Sequence, residues 1–217
     1  MDKSQTCGQM LHHDRFSTSN DVIGAIILAA GRGTRIGGDK MLLPVAGQPM
    51  IAHVIAASRA AQLDEPIVVI RPGDVALRQI IDDAGLMHVE SAHFELGMAH
   101  SLAAGLAAAP THWRGAFIML GDMPFIAPAL LTAMAQRLTP LAIVIPEHGG
   151  RRGNPVLWAR GYFNQLSGLK GDTGGRALWG DHAHEIIAQS WHDTSIFADI
   201  DTPEDWRALI APLEASD

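Results

Sequence analysis

Four glycines and three cations fall within ten residues, Gly31-Arg-Gly-Thr-Arg-Ile-Gly-Gly-Asp-Lys40. Glycine lets a backbone turn tightly and come close to a ligand, and Arg32, Arg35 and Lys40 concentrate positive charge in an otherwise acidic chain. A loop of this kind suits a polyphosphate. Two other stretches offer carboxylates: Gly121-Asp-Met-Pro124, and Asp199 and Asp201 in Phe197-Ala-Asp-Ile-Asp-Thr-Pro-Glu-Asp205. Mg2+ commonly reaches phosphate chemistry through one or two carboxylates plus substrate oxygens, so Asp122 with Asp201 or Asp199 is a candidate metal pair. If residues 197–201 are extended, Asp199 and Asp201 project to one side about 6.6 Å apart.

Each stretch also has a plainer reading. The glycine loop can be a turn with solvated cations, and Asp122 can order a turn ahead of Pro124. Thr202 can cap a helix that has Pro203 at its first position, with Asp205 closing an imperfect capping box. That accounts for Thr202, Pro203 and Asp205 but leaves the two upstream acids unexplained. Two familiar phosphate loops are excluded by spacing. A dinucleotide fingerprint needs a third glycine where Ile36 stands and an acid after the next strand, where Arg71 and Pro72 follow Ile70. A P-loop needs four residues between its glycines and then Lys-Ser/Thr, which the loop lacks.

The positioning elements follow from hydrophobic pattern. Ile23 to Ala30 and Gly115 to Leu120 are apolar runs of strand length without alternation, as in strands covered on both faces. Further strands are predicted at Ile67–Ile70, Met87–Glu90 and Leu141–Ile145. Helices are predicted through Ile51, Val54 and Ile55, from Asp74 to about Ala84, and from Gly97 onward. Alternating strands and helices imply a parallel sheet between two helical layers. In open sheets of this kind ligands collect beyond the carboxyl ends of strands, where the glycine loop and Asp122 both fall. Pro146 to Val156 reads as a hairpin with a glycine-rich tip carrying Arg151, Arg152 and Asn154. Ser101 is either a first-turn helix residue satisfying free amides or a ligand contact. His53 reads as a satisfied helix residue, and Trp158, Trp179 and Trp191 as core or lid. His12 with His13 reads as solvated, and His93 with His100 lacks the Cys a zinc site would add.

A chain of 217 residues can bury a sizeable core, and 22–217 is expected to form one domain after a flexible lead-in at 1–21. The formal charge of -7 excludes a general nucleic-acid surface, so anion binding must be local. The single Cys7 allows no internal disulfide, no secretory pattern opens the chain, and no apolar run approaches the ~18 residues of a membrane span. A cytoplasmic monomer is expected.

The order Leu28-Ala-Ala-Gly31-x-Gly-x-Arg35, with Lys40 in Lys-x-Leu-Leu-Pro44, resembles the signature of nucleotidyltransferases that activate sugar phosphates, isoprenoid precursors and the molybdenum cofactor. Gly97-Met-x-x-Ser-Leu102, Gly121-Asp-Met-Pro124, Arg152-Gly-Asn-Pro-Val156, Gly171-Asp-Thr-Gly-Gly-Arg176 and Asp199-x-Asp-Thr-Pro203 are similar to the molybdenum cofactor cytidylyltransferases, a likeness running from about Ile23 to Leu209. The related guanylyltransferases carry Leu-Ala-Gly-Gly where this chain has Leu28-Ala-Ala-Gly31.

The resemblance implies a three-layer Rossmann-like fold with a mostly parallel, mixed central sheet. It implies Mg2+-dependent transfer of a cytidylyl group from CTP to the terminal phosphate of molybdenum cofactor (molybdopterin), with a molybdenum hydroxylase or its chaperone as downstream partner. Arg35, Lys40 and Asp122 are then catalytic, and Asp122 and Asp201 hold the metal with Asp199 in reserve. Leu28, Ala29, Ala30, Gly31, Arg32, Gly33, Lys40, Gly97, Ser101, Leu102, Gly121 and Asn154 surround the substrates. Two alternatives stay open: a nucleotidyltransferase using GTP or another small phosphate such as a sugar phosphate, and a non-catalytic nucleotide-binding or escort protein for molybdenum hydroxylases.

Overall fold

A computed structural model describes residues 22–31, 33, 36 and 39–214. The lead-in expected at 1–21 therefore lies outside the described residues. In chain order the elements are β1 (Val22–Leu28), β2 (Pro44–Val45), β3 (Gln48–Pro49), α1 (Met50–Ala60), β4 (Ile67–Ile70), α2 (Val75–Asp83), β5 (Met87–Glu90), α3 (Met98–Ala108) and β6 (Trp113–Leu120). The remainder are α4 (Pro128–Ala135), β7 (Ile143–His148), β8 (Arg151–Arg152), β9 (Val156–Ala159), α5 (Phe163–Ser167), β10 (Ile186–Ser190) and α6 (Pro203–Glu214).

The main sheet runs β10-β7-β9-β6-β1-β4-β5, with β8 paired to β7. Strands β5, β4, β1 and β6 are parallel neighbours, β9 runs antiparallel to both β6 and β7, and β10 is parallel to β7. This is the expected mostly parallel, mixed sheet. Helix α1 packs against α4, α3 packs against α5, and α3 crosses β1 and β4. With both faces covered, Ala25, Ile26, Ile27 and all of β4 are buried without alternation, which is why their sequences are apolar throughout.

Three boundaries differ from expectation. The first strand stops at Leu28, so Ala29 and Ala30 already belong to the loop. The fifth expected strand begins at Ile143, and Leu141 is exposed. Within 197–201, Phe197 ends a single 3-10 turn from Ser195, and only the residues after it keep an alternating burial.

Register is what the site depends on. Leu28 pairs directly with Leu120, so the chain leaves β1 toward the glycines and leaves β6 toward Asp122 at the same level of the sheet. Gly121 N donates to Leu28 O at 3.0 Å, extending the pairing one step beyond the strands. A Cβ at Gly121 would meet Met41 Sδ at 2.8 Å, so the turn into Asp122 closes too tightly for a side chain.

At the other end of the sheet the Trp113 indole lies across β1 at Gly24, where a Cβ would come within 2.1 Å of the ring. The buried indole Nε1 donates to Asp64 Oδ2 at 2.5 Å, and His112 Nε2 lies 3.0 Å from the same oxygen. Burial pushes the Asp64 carboxyl up, but the bonds from Trp113 and His112 outweigh it and hold the group below the ordinary carboxylate range. A lowered folded value means the stabilisation is complete above the unfolded pKa and disappears as pH falls through the folded one. Asp64→Asn keeps an acceptor for the indole without a titrating charge. Between about pH 5 and pH 1 its urea midpoint should fall less steeply than that of the wild type. Equal slopes would show that Asp64 makes no linkage contribution.

Candidate active site

Lys40 begins a 3-10 turn (Lys40–Leu42) just past the glycine loop, and its side chain runs inward until the residue is only 7 % exposed. A lysine that buried must be paired. Its Nζ donates to Asp122 Oδ2 at 2.7 Å and to Asp201 Oδ1 at 2.6 Å. The structure thus brings Lys40, Asp122 and Asp201 together from segments 82 and 161 residues apart.

Two local devices hold Asp201 in place. Ile200 N donates to Asp122 O at 3.1 Å, and Ile200 is buried with Val45 and Met50, so the acids on either side of it face away from that small core. Downstream, Asp205 N donates to Thr202 Oγ1 at 3.1 Å while Thr202 N donates to Asp205 Oδ2 at 2.8 Å, a reciprocal box opening α6. The expected cap is present, and it fixes the residue next to Asp201.

Burial is the strongest influence on both charged partners of the central pair. It pushes the Asp122 carboxyl above its usual range against the attraction of Lys40, and Asp201 and Asp199 add to the rise. It pulls the Lys40 ammonium down, but Asp122 and Asp201 together more than cancel that and leave it above its ordinary value. Lys40 therefore stays a cation.

Asp122 Oδ1 is buried with no hydrogen-bond partner among the described residues. A hard oxygen without a partner, beside a second carboxylate, fits a divalent cation. Among the described residues no group of three or more His, Cys, Asp or Glu is placed to hold a metal, so an ion here would take its other ligands from substrate. The His93 and His100 rings meet edge to face at 6.2 Å.

A cleft of about 420 Å³ opens over this group. Of the residues singled out from sequence, Leu28, Ala30, Gly31, Gly97, Ser101, Asp122, Asp199 and Asp201 line it. A second cleft of about 320 Å³ adjoins it, lined by Leu102 and Asn154 among others, and shares Met98, Leu120, Asp172 and Asp199 with the first. Asp199 thus stands where the two meet. Ala29 is buried behind the loop, its N–H bound to Val69 O at 2.8 Å, and Gly121 serves the turn. Gly33 has φ +57°, as a glycine loop requires. Arg32 and Arg35 lie outside the described residues.

The first turn of α3 lines both clefts and is capped from far along the chain. Gly97 has φ +112° and sits so close to Gly171 that a Cβ would lie 2.2 Å from its carbonyl carbon. Met98 N donates to Asp172 Oδ1 at 3.3 Å and Ala99 N to Gly171 O at 3.1 Å. Ser101 is therefore not the cap: its Oγ donates to Ser91 Oγ at 3.3 Å, inside the helix wall. The 171–176 stretch is placed near the site by sequence, but this capping role has no local mark, because Asp172 serves an amide 74 residues away.

Arg176 is the only cation among the described residues lining the second cleft. Its guanidinium lies 5.6 Å from the centre of the Trp179 ring, and that of Arg152 lies 5.5 Å from it, which orients both without using their N–H groups. Arg151 sits likewise over Phe197 at 4.4 Å. Trp158 is core, and His53 Nε2 lies 2.7 Å from Val45 O, a satisfied helix residue as expected.

Residues 25–186 match the MobA-like NTP transferase domain. Bifunctional protein GlmU of Symbiobacterium thermophilum is 38 % identical over 111 residues, which is 50 % of this chain and 23 % of that one. The curated relatives are much longer than the part matched here, which spans 30 % of GlmU from Rhodospirillum rubrum. Rv0371c of Mycobacterium tuberculosis has a similar structure, with a TM-score of 0.77 at 28 % identity over 88 % of this chain and 98 % of that one. It has also been solved in complex with manganese, where the TM-score is 0.70 at 26 % identity with the same coverage. Molybdopterin-guanine dinucleotide biosynthesis protein A of Archaeoglobus fulgidus shares the fold at 17 % identity, with a TM-score of 0.60 over 88 % of this chain and 99 % of that one.

Proposed function

Because the chain belongs to the MobA-like NTP transferase family, we propose that it transfers the cytidylyl group of CTP to the terminal phosphate of molybdenum cofactor, releasing pyrophosphate. The observation that carries this reading is Lys40 held between Asp122 and Asp201, two acids that line one cleft together with Leu28, Ala30, Gly31 and the first turn of α3.

The reaction is a displacement at the α-phosphorus. An oxygen of the acceptor phosphate forms the new P–O bond while the bond to the β-phosphate oxygen breaks, and the electron pair leaves with pyrophosphate. An ionised phosphate needs no strong base, so the chain's task is placement and charge stabilisation. The loop from Leu28 to Gly33 receives the nucleotide, and Ala30, buried at the cleft wall, narrows the space beside the base. Arg35 and Lys40 stabilise charge on the departing pyrophosphate. The second cleft takes the acceptor, with Asn154 and Arg176 as its polar contacts. Asp122 and Asp201 would hold a divalent cation, Mg2+ in this reading, which supplies positive charge between the two phosphates. The manganese complex of Rv0371c supports a divalent ion in this fold.

Pyrophosphate release tests the substrates directly. CTP with molybdenum cofactor should give it. One methyl at Ala30 contributes only ~1 to 3 kcal/mol of discrimination, so GTP should run about tenfold slower or worse. Release with GTP but not CTP would overturn the base assignment, release with sugar phosphates alone would overturn the acceptor, and none with any pair would leave a binding protein.

A further inference from the structure

The stretch 171–176 is held at two places and delivers its one cation between them and the second cleft. Gly174, Gly175 and Arg176 line that cleft and not the first, whereas Asp172 lines both. At Gly175 a Cβ would come within 2.6 Å of the Trp158 ring, so the backbone there lies directly on a buried core residue. Arg176 follows at once, inside a 3-10 turn (Gly175–Leu178). The other anchor is on α3, where Ala99 N donates to Gly171 O at 3.1 Å and Met98 N donates to Asp172 Oδ1 at 3.3 Å. Gly97 has no side chain with which to cap α3, and Asp172 supplies the missing oxygen.

The Asp172 carboxylate is otherwise out of place. The second cleft is where the anionic acceptor is read to bind, and by charge alone an acid on its wall repels a phosphate. Removing that charge should then tighten acceptor binding. What the acid offers in return is position: a carboxylate is favoured over the free amides of a helix's first turn, and this one ties the start of the stretch to α3 by a side chain as well as by the backbone bond at Gly171.

We infer that Asp172 is a positioning residue for the acceptor: by bonding the first turn of α3 it fixes the start of the stretch that carries Arg176 to the second cleft. The inference rests on the transfer reading above. Asp172 acts through Arg176 and touches no reacting atom.

The test is the acceptor KM, read from pyrophosphate release with molybdenum cofactor at saturating CTP and Mg2+. Asp172→Ala should raise it about tenfold, with kcat and the CTP KM within about threefold of the wild type. Asp172→Asn loses the charge but keeps an oxygen for Met98 N, so its acceptor KM should return to the wild-type value or fall below it. A purely electrostatic role would move both variants alike and downward. In an Arg176→Ala background, Asp172→Ala should raise the acceptor KM by less than about twofold, because the guanidinium it positions is gone. A general loosening of the cleft would add in full. An acceptor KM in Asp172→Ala at or below the wild-type value, equal values in the Ala and Asn variants, or full additivity with Arg176→Ala would overturn the inference. Wild-type protein that released no pyrophosphate with any triphosphate and acceptor would instead bring down the transfer reading, and the inference with it.

Discussion

Asp122→Asn is expected to lower kcat by about a hundredfold or more while leaving the folded protein as stable as the wild type, or slightly more so. The catalytic loss follows from the place of the carboxylate. It lines the cleft and bonds Lys40 at 2.7 Å, and one well-placed electrostatic contact is worth ~3 kcal/mol of barrier, or about a hundredfold in rate. The stability argument runs the other way. Burial disfavours the Asp122 anion, so the native residue is held at a cost that an uncharged amide lowers. Lys40 would keep Asp201 as its partner. Activity assays and a urea midpoint on one preparation check both halves: near-normal turnover would remove Asp122 from the chemistry, and a sharp loss of stability would make it a structural residue.

Lys40→Met should produce the largest change in stability. Removing the ammonium leaves two carboxylates close together, both only partly buried, and breaking such a pair costs up to about 3 kcal/mol. A divalent cation can supply the missing charge. The variant without metal should therefore melt well below the wild type, and added Mg2+ should raise its midpoint by several degrees more than it raises that of the wild type. The variant should also turn over poorly even when saturated with metal, because the cation then has no lysine beside it to stabilise the leaving pyrophosphate. Equal responses to Mg2+ would mean that ammonium and metal do not share the two carboxylates.

Much of this was legible in the chain itself, for identifiable reasons. The strands at 23–28 and 115–120 are buried on both faces, so their composition marks them without any partner being known. The start of α6 is marked by Thr202, Pro203 and Asp205, because a capping box is a contact between residues three apart. The meeting of Lys40 with Asp122 and Asp201 is different in kind. It depends on Leu28 pairing with Leu120 and on Ile200 reaching the Asp122 carbonyl, and no local pattern fixes either register. The family resemblance, not periodicity, pointed to the three residues.

Elements that escaped notice were those with weak local signals. β10 is a half-exposed edge strand, and α4 is apolar on most sides, so its face cannot be read from spacing. β9 looked like the tail of a hairpin, yet it is the antiparallel strand joining β6 to β7. Asp172 and Arg71 act on residues from other elements, one capping α3 and the other holding Asp39, and a single sequence has no mark for such long-range service.

The central claim is that Asp122 and Asp201 form one cation site beside Lys40. Titration of Mn2+ into the protein with CTP present, followed by electron paramagnetic resonance, addresses it most directly. The account predicts bound Mn2+ in the wild type and its loss, by about tenfold or more in affinity, in both Asp122→Asn and Asp201→Asn. Wild-type affinity in either variant would contradict it.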